Sequence, residues 1–221
     1  MKRINKFFWI IPALLFAAMN ANAQTNPVMN GQVKKLGKAL SSECKNRMLS
    51  YKEGQWLLYD NSQVLELTLL NHFTKLEEGN CHETSGTATK VVSTRTGILQ
   101  AKNNASSDYA QRAMTEMVDF VMNNIGELNE EDGAAFKSFF AIYQSKMEEE
   151  ISKALTPSYS VYHSNGKDES GAETFDVQSY FFLDDSTATQ ARIKAVNEAL
   201  SENKTAQNYS DRIRDFVKEE K

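Results

Sequence analysis

Ser158-Tyr159-Ser160-Val161-Tyr162-His163-Ser164, followed after a polar insert by Thr174-Phe175-Asp176-Val177-Gln178-Ser179-Tyr180-Phe181-Phe182-Leu183, is the stretch that decides the fold. Its period is two. Tyr159, Val161 and His163 share one side, opposite Ser158, Ser160, Tyr162 and Ser164. Phe175, Val177, Ser179, Phe181 and Leu183 share another, opposite Asp176, Gln178, Tyr180 and Phe182. Side chains alternate across a strand, so each run presents two faces. Two such runs joined by a polar insert over 165–173 predict an antiparallel hairpin, 158–164 with 174–183.

Outward from the hairpin the period changes to that of a helix. Phe136, Phe140, Tyr143, Met147, Ile151 and Leu155 fall on one side of a helix over 131–155, which Pro157 prevents from continuing. Before it, Ala101, Ala105, Tyr109, Ala113, Met117, Phe120, Val121 and Asn124 mark a helix over 101–125 whose alanine end can approach another backbone closely. The β-branched run Val92, Thr94, Thr96, Ile98 predicts a strand over 90–99. The polar segment 79–89, with Cys81 and His82, reads as a loop. Val33, Leu36, Leu40, Cys44, Met48 and Tyr51 predict a helix ended by Gly54, 56–59 an extended segment, and Val64, Leu65, Leu69, Phe73 and Leu76 a second helix. After the hairpin, Asp184, Asp185 and Ser186 can cap the first of two helices, one carrying Ala188 to Ala199, the other Ala206 to Val217. The expectation is one α+β domain over 31–221: a small, mostly antiparallel sheet with several helices on one face.

The first residues have a different character. Lys2, Arg3 and Lys6 precede a short apolar run from Phe7 to Ala18, and Ala21-Asn22-Ala23 supplies small residues before Gln24. Those are the three parts of a secretory signal peptide over 1–23, and the apolar run is too short to span a bilayer. Residues 24–30 read as a disordered lead-in. The whole chain has 25 basic and 29 acidic residues, net −4. Losing three positive charges with the leader makes the exported chain −7. That balance argues against nucleic acid and against docking on anionic lipid. No cysteine stands at the cleavage junction, so no lipid anchor is expected. Export also bears on Cys44 and Cys81, the only two cysteines. In an oxidising compartment they predict one disulfide.

Two stretches carry a resemblance. One is Glu53-Gly54-Gln55-Trp56 leading into Leu65-Glu66-Leu67-Thr68-Leu69-Leu70. The other is Gly97-Ile98-Leu99-Gln100-Ala101-Lys102-Asn103-Asn104-Ala105 with Tyr109, Ala110 and Ala113. On these the chain resembles uncharacterised secreted proteins of Bacteroides-type bacteria. More distantly, residues 90–200 look like the small surface-lipoprotein family that includes the N-terminal domain of flagellar assembly protein T. That resemblance implies a glycine-ended strand feeding an alanine-patterned helix, a sheet-on-helix domain, an envelope-associated structural or binding role, and no catalytic residues. The lipid-bearing cysteine of those lipoproteins is missing here.

Chemistry-bearing patterns are sparse. The histidines are His72, His82 and His163. Cys81-His82 lacks the spacing of a zinc site and the geometry of a thiolate–imidazole nucleophile. His72 reads as a boundary or surface residue and His163 as a half-buried strand position. Glu148-Glu149-Glu150 points around a helix, and 165–171 matches a calcium loop only in part. No nucleophile elbow, phosphate loop or dinucleotide fingerprint follows a predicted strand. The expectation is a non-enzymatic protein with no cofactor and no metal, acting on an envelope protein or surface ligand. The candidate contact patch is Tyr162, Tyr180 and Phe182, exposed if helices cover only one face of the sheet; the competing expectation is that both faces are covered. The alternative is a small-ligand or glycan module using the same aromatics.

Overall fold

The computed structural model describes residues 36–59, 63–125 and 130–219. The leader and lead-in expected over 1–30 lie outside them. In chain order the elements are α1 (Lys38–Glu53), β1 (Leu57–Leu58), α2 (Leu65–Glu77), β2 (Cys81–Val91), α3 (Thr94–Asn124), α4 (Glu130–Ala154), β3 (Thr156–Lys167), β4 (Glu173–Asp184), α5 (Asp185–Ser201), α6 (Lys204–Gln207) and α7 (Ser210–Glu219). The class is α+β, with one antiparallel sheet ordered β1-β3-β4-β2. No helix among the described residues is long and apolar enough to cross a membrane.

The hairpin forms as its alternation requires, with Val161 opposite Gln178 and Tyr162 opposite Val177. Its tip is closed by Asp168, whose carboxylate accepts from the Ser170 and Ala172 amides, with Gly171 at φ +84°. Asp184 caps α5 by accepting from Thr187 N at 2.9 Å. Pro157 falls in β3, just past the end of α4.

Two expectations fail at β2. The segment read as a loop is most of the strand, and of the segment read as a strand over 90–99, Lys90 and Val91 end β2 while Thr94 onward opens α3. The cause is close packing. The inward residues of β2 are Thr84, Gly86 and Ala88. A Cβ on Gly86 would stand 1.9 Å from the Ala101 carbonyl oxygen, and one on Gly97 would stand 2.6 Å from Val177 Cγ2. Gly97, Ala101 and Ala105, four residues apart, form a stripe that seats the α3 backbone against the strand. Such a strand carries almost no apolar signal, and such a helix keeps Thr94, Thr96 and Ile98 because contact outweighs their modest helix propensity. The glycine-ended strand implied by the resemblance is therefore absent: Gly97 is helical and buried.

Both faces of the sheet are covered, the arrangement under which no aromatic patch is left open. On one face, Phe181 and Leu183 join α3, α4, α5 and α7 in the largest core cluster, around Met117, Phe139, Met147 and Ile213. On the other, α1 and α2 pack Cys44, Met48, Leu69 and Phe73 against Tyr159 and Val161. The result is a helix–sheet–helix sandwich.

Candidate functional site

β2 is an edge strand, and the two helical layers flank it. On α1, Glu43, Asn46, Arg47 and Ser50 recur at helical spacing and face the gap. On α3, Asp108, Gln111 and Arg112 do the same. Between them, over Glu83, Thr84 and Ser85, runs an open groove of about 1420 Å³. Sites for small ligands usually occupy roughly 300–1,000 Å³. The groove is therefore large enough for a polymer segment. A smaller recess of about 610 Å³ adjoins it, where His82 Nδ1 stands 2.9 Å from Asp185 Oδ1 and the imidazole stacks on Tyr109.

One end of the groove floor is a buried polar cluster that ties α1 and α2 to the sheet. Arg47 donates to both Glu83 oxygens, at 2.6 and 3.1 Å, and to Tyr159 Oη at 3.0 Å. His72 Nε2 donates to Glu83 Oε2 at 2.5 Å, while its Nδ1 lies 2.8 Å from Ser158 Oγ. Tyr51 donates to Tyr180 Oη at 2.8 Å. The Arg47 guanidinium lies over the rings of Phe73 and Tyr180, and Phe182 stacks on His72.

The cluster's electrostatics follow from burial against pairing. Burial alone would raise the Glu83 carboxyl, but hydrogen bonds from His72 and Arg47 overcome it and hold it down to about 2. Burial alone would lower Arg47, and Glu83 keeps it charged. The Tyr51, Tyr159 and Tyr180 hydroxyls are pushed up, chiefly by burial, and stay protonated. A carboxylate this acidic, already held by a two-pronged guanidinium, is a poor general base near neutral pH. These groups fasten layers together and supply fixed dipoles to the groove; they are not arranged as nucleophile and base.

The expected site residues are redistributed. Tyr162 packs with Phe175 on the α3 face, opposite to Tyr180 and Phe182. Tyr180 and Phe182 are half-buried beneath α1 and α2, so the three do not form an exposed patch. Tyr180 alone lines the groove. Cys44 and Cys81 are free thiols, which corrects the expected disulfide. Cys44 is fully buried in the α1–α2 packing, while Cys81 opens β2 beside Lys75, Asp184 and Asp185. His72 is buried, not at the surface; His163 is half-buried beside Trp56. Asp184 serves as a helix cap. Glu149 and Glu150 pair with Lys153, and Glu150 also with Lys194. Among the described residues no group of three or more His, Cys, Asp or Glu could hold a metal ion.

Sequence reasoning missed the groove because its floor was read as loop. One signal was present: Glu83, Ser85 and Thr87 alternate with Thr84, Gly86 and Ala88, a period of two written in small and polar residues. Comparison with protein-family models, curated proteins and solved structures returned no match.

Proposed function

We propose that this chain is an exported, non-enzymatic protein of the cell envelope that acts by protein–protein contact. Its binding site on this reading is the groove between α1 and α3. The observation that carries the reading is a groove lined by charged, amide, hydroxyl and tyrosine side chains, larger than a small-molecule pocket and laid along a sheet edge. Export is supported by the tripartite leader over 1–23, and an envelope role by the resemblance to secreted Bacteroides-type proteins. A glycan is the second reading, favoured by Tyr51, Tyr109 and Tyr180 among the lining residues.

The test is to plug the groove. Asn46 is exposed on α1, and Asn46→Trp would fill the space above β2 without touching either core. Peptide libraries and glycan arrays probed with both forms should give binding that the plugged form loses, with thermal stability unchanged. Equal binding by both forms would sink the groove as the site.

A further inference from the structure

We infer that the open half of the β2 edge is a strand-acceptor site, taking an extended segment of a partner polypeptide into the groove. The inference rests on the groove being the binding site and goes on to name what it binds.

Main-chain directions carry the argument. Asn80 O accepts from Asp185 N, and in an antiparallel ladder the pairing alternates. Thr84 and Gly86 therefore turn their amides and carbonyls to β4, while Cys81, Glu83, Ser85 and Thr87 turn theirs outward. Thr87 O confirms the alternation from the other side, since it accepts from Asn104 Nδ2 at 2.7 Å. Edges left open invite pairing, and proteins commonly blunt them. Here the blunting is selective. Asn104 covers Thr87. The register breaks between Ala88 and Val91, where Lys90 has φ +54° and its amide bonds the Asp176 carboxylate. At the far side of the sheet, β1 is two residues long. The stretch Cys81 to Ser85 has no such device. Among the described residues no hydrogen bond reaches its outward main-chain groups, and it lies along the groove floor.

The same walls choose the occupant. A helix stands on each side of the slot, so it admits one extended chain. The β2 of a second copy would bring its own α1 and α3 into collision with them. Strand addition gives affinity through main-chain bonds and specificity through alternate side chains. On the α3 side the wall of the slot is made by Asp108, Gln111 and Arg112, so side chains pointing that way meet polar partners. Lining charges alternate in sign, Glu43 with Arg47 and Asp108 with Arg112. The fitting segment is near neutral and held with little dependence on salt.

A displayed library of random linear peptides, panned against the full chain, provides the probe. Ser85→Pro removes an outward N–H and leaves the ladder to β4 intact. Selected peptides should bind Ser85→Pro at least about tenfold more weakly than the parent, the loss of roughly one main-chain bond with its neighbours. Amide exchange at Glu83 and Ser85 of the parent chain should slow when peptide is added, a readout independent of how the variant folds. Failure to select any peptide, equal affinity for Ser85→Pro, or protection elsewhere would overturn the inference. A glycan retained by Ser85→Pro and lost by Asn46→Trp would overturn it while leaving the groove as the site. Binding indifferent to Asn46→Trp would end both. A concentration-dependent dimer abolished by Ser85→Pro would overturn it in favour of a second copy.

Discussion

Replacing Glu83 with Gln should change how stability depends on pH, and the structure sets the size of the effect. The Glu83 side chain is 23% exposed, Arg47 13% and His72 not at all, so solvent screens the group only weakly. Burial would raise its carboxyl; the His72 and Arg47 bonds bring it from 4.5 to about 2. A carboxylate depressed in the folded state contributes stability that is fully present above the unfolded value and is lost as pH falls towards the folded one. The depression corresponds to about 3 kcal/mol, of which about 2 kcal/mol is gone by about pH 3. Glu83→Gln lacks this titration altogether. Near neutral pH it should also be less stable, by up to about 3–5 kcal/mol, because the buried Arg47 guanidinium then keeps only the half-exposed Glu43 carboxylate, at 3.1 Å, as counter-charge. Urea unfolding of both forms at matched slopes, from about pH 7 down to about pH 3, measures the difference. The gap between them should narrow by about 2 kcal/mol between about pH 5 and pH 3. A gap that stays constant would refute the assignment of Glu83 as a paired, buried carboxylate.

Gly86→Ala should lower stability by about 1–3 kcal/mol or more, since its methyl meets the Ala101 carbonyl and α3 must lift from β2; an unchanged melting temperature would contradict that packing. Asp184→Ala removes the cap that accepts from the Thr187 amide and should cost about 1 kcal/mol in urea titrations. Without reductant, iodoacetamide should add one label to the folded chain, at half-buried Cys81, and a second at Cys44 only after unfolding. An unlabelled chain that gains two reactive thiols after reduction would instead restore the disulfide.

The candidate site was far less legible than the fold. The hairpin, α4 and the cap at Asp184 could be read directly, because each buries large apolar side chains at a regular period or uses a local hydrogen bond. β2 could not, because a strand pressed under a helix backbone buries glycine, alanine and threonine in place of bulky residues. Misreading it concealed the sheet edge, and with it the groove. His72 and Glu83 are eleven residues apart, and Arg47 is thirty-six from Glu83. Nothing in local composition distinguishes such residues from ordinary surface polar ones; only the stacking of α1 and α2 on the sheet turns them inward.

The sequence by itself determined an acidic chain, the α+β class, an antiparallel hairpin and the helices whose apolar stripes are wide. Periodicity and end signals are local, and they suffice for that. Tertiary structure alone decided that helices cover both faces, that Tyr162 parts from Tyr180 and Phe182, that the cysteines stay apart, and that β2 borders the groove. Each of those depends on how closely two backbones approach, and small side chains permit close approach without announcing it.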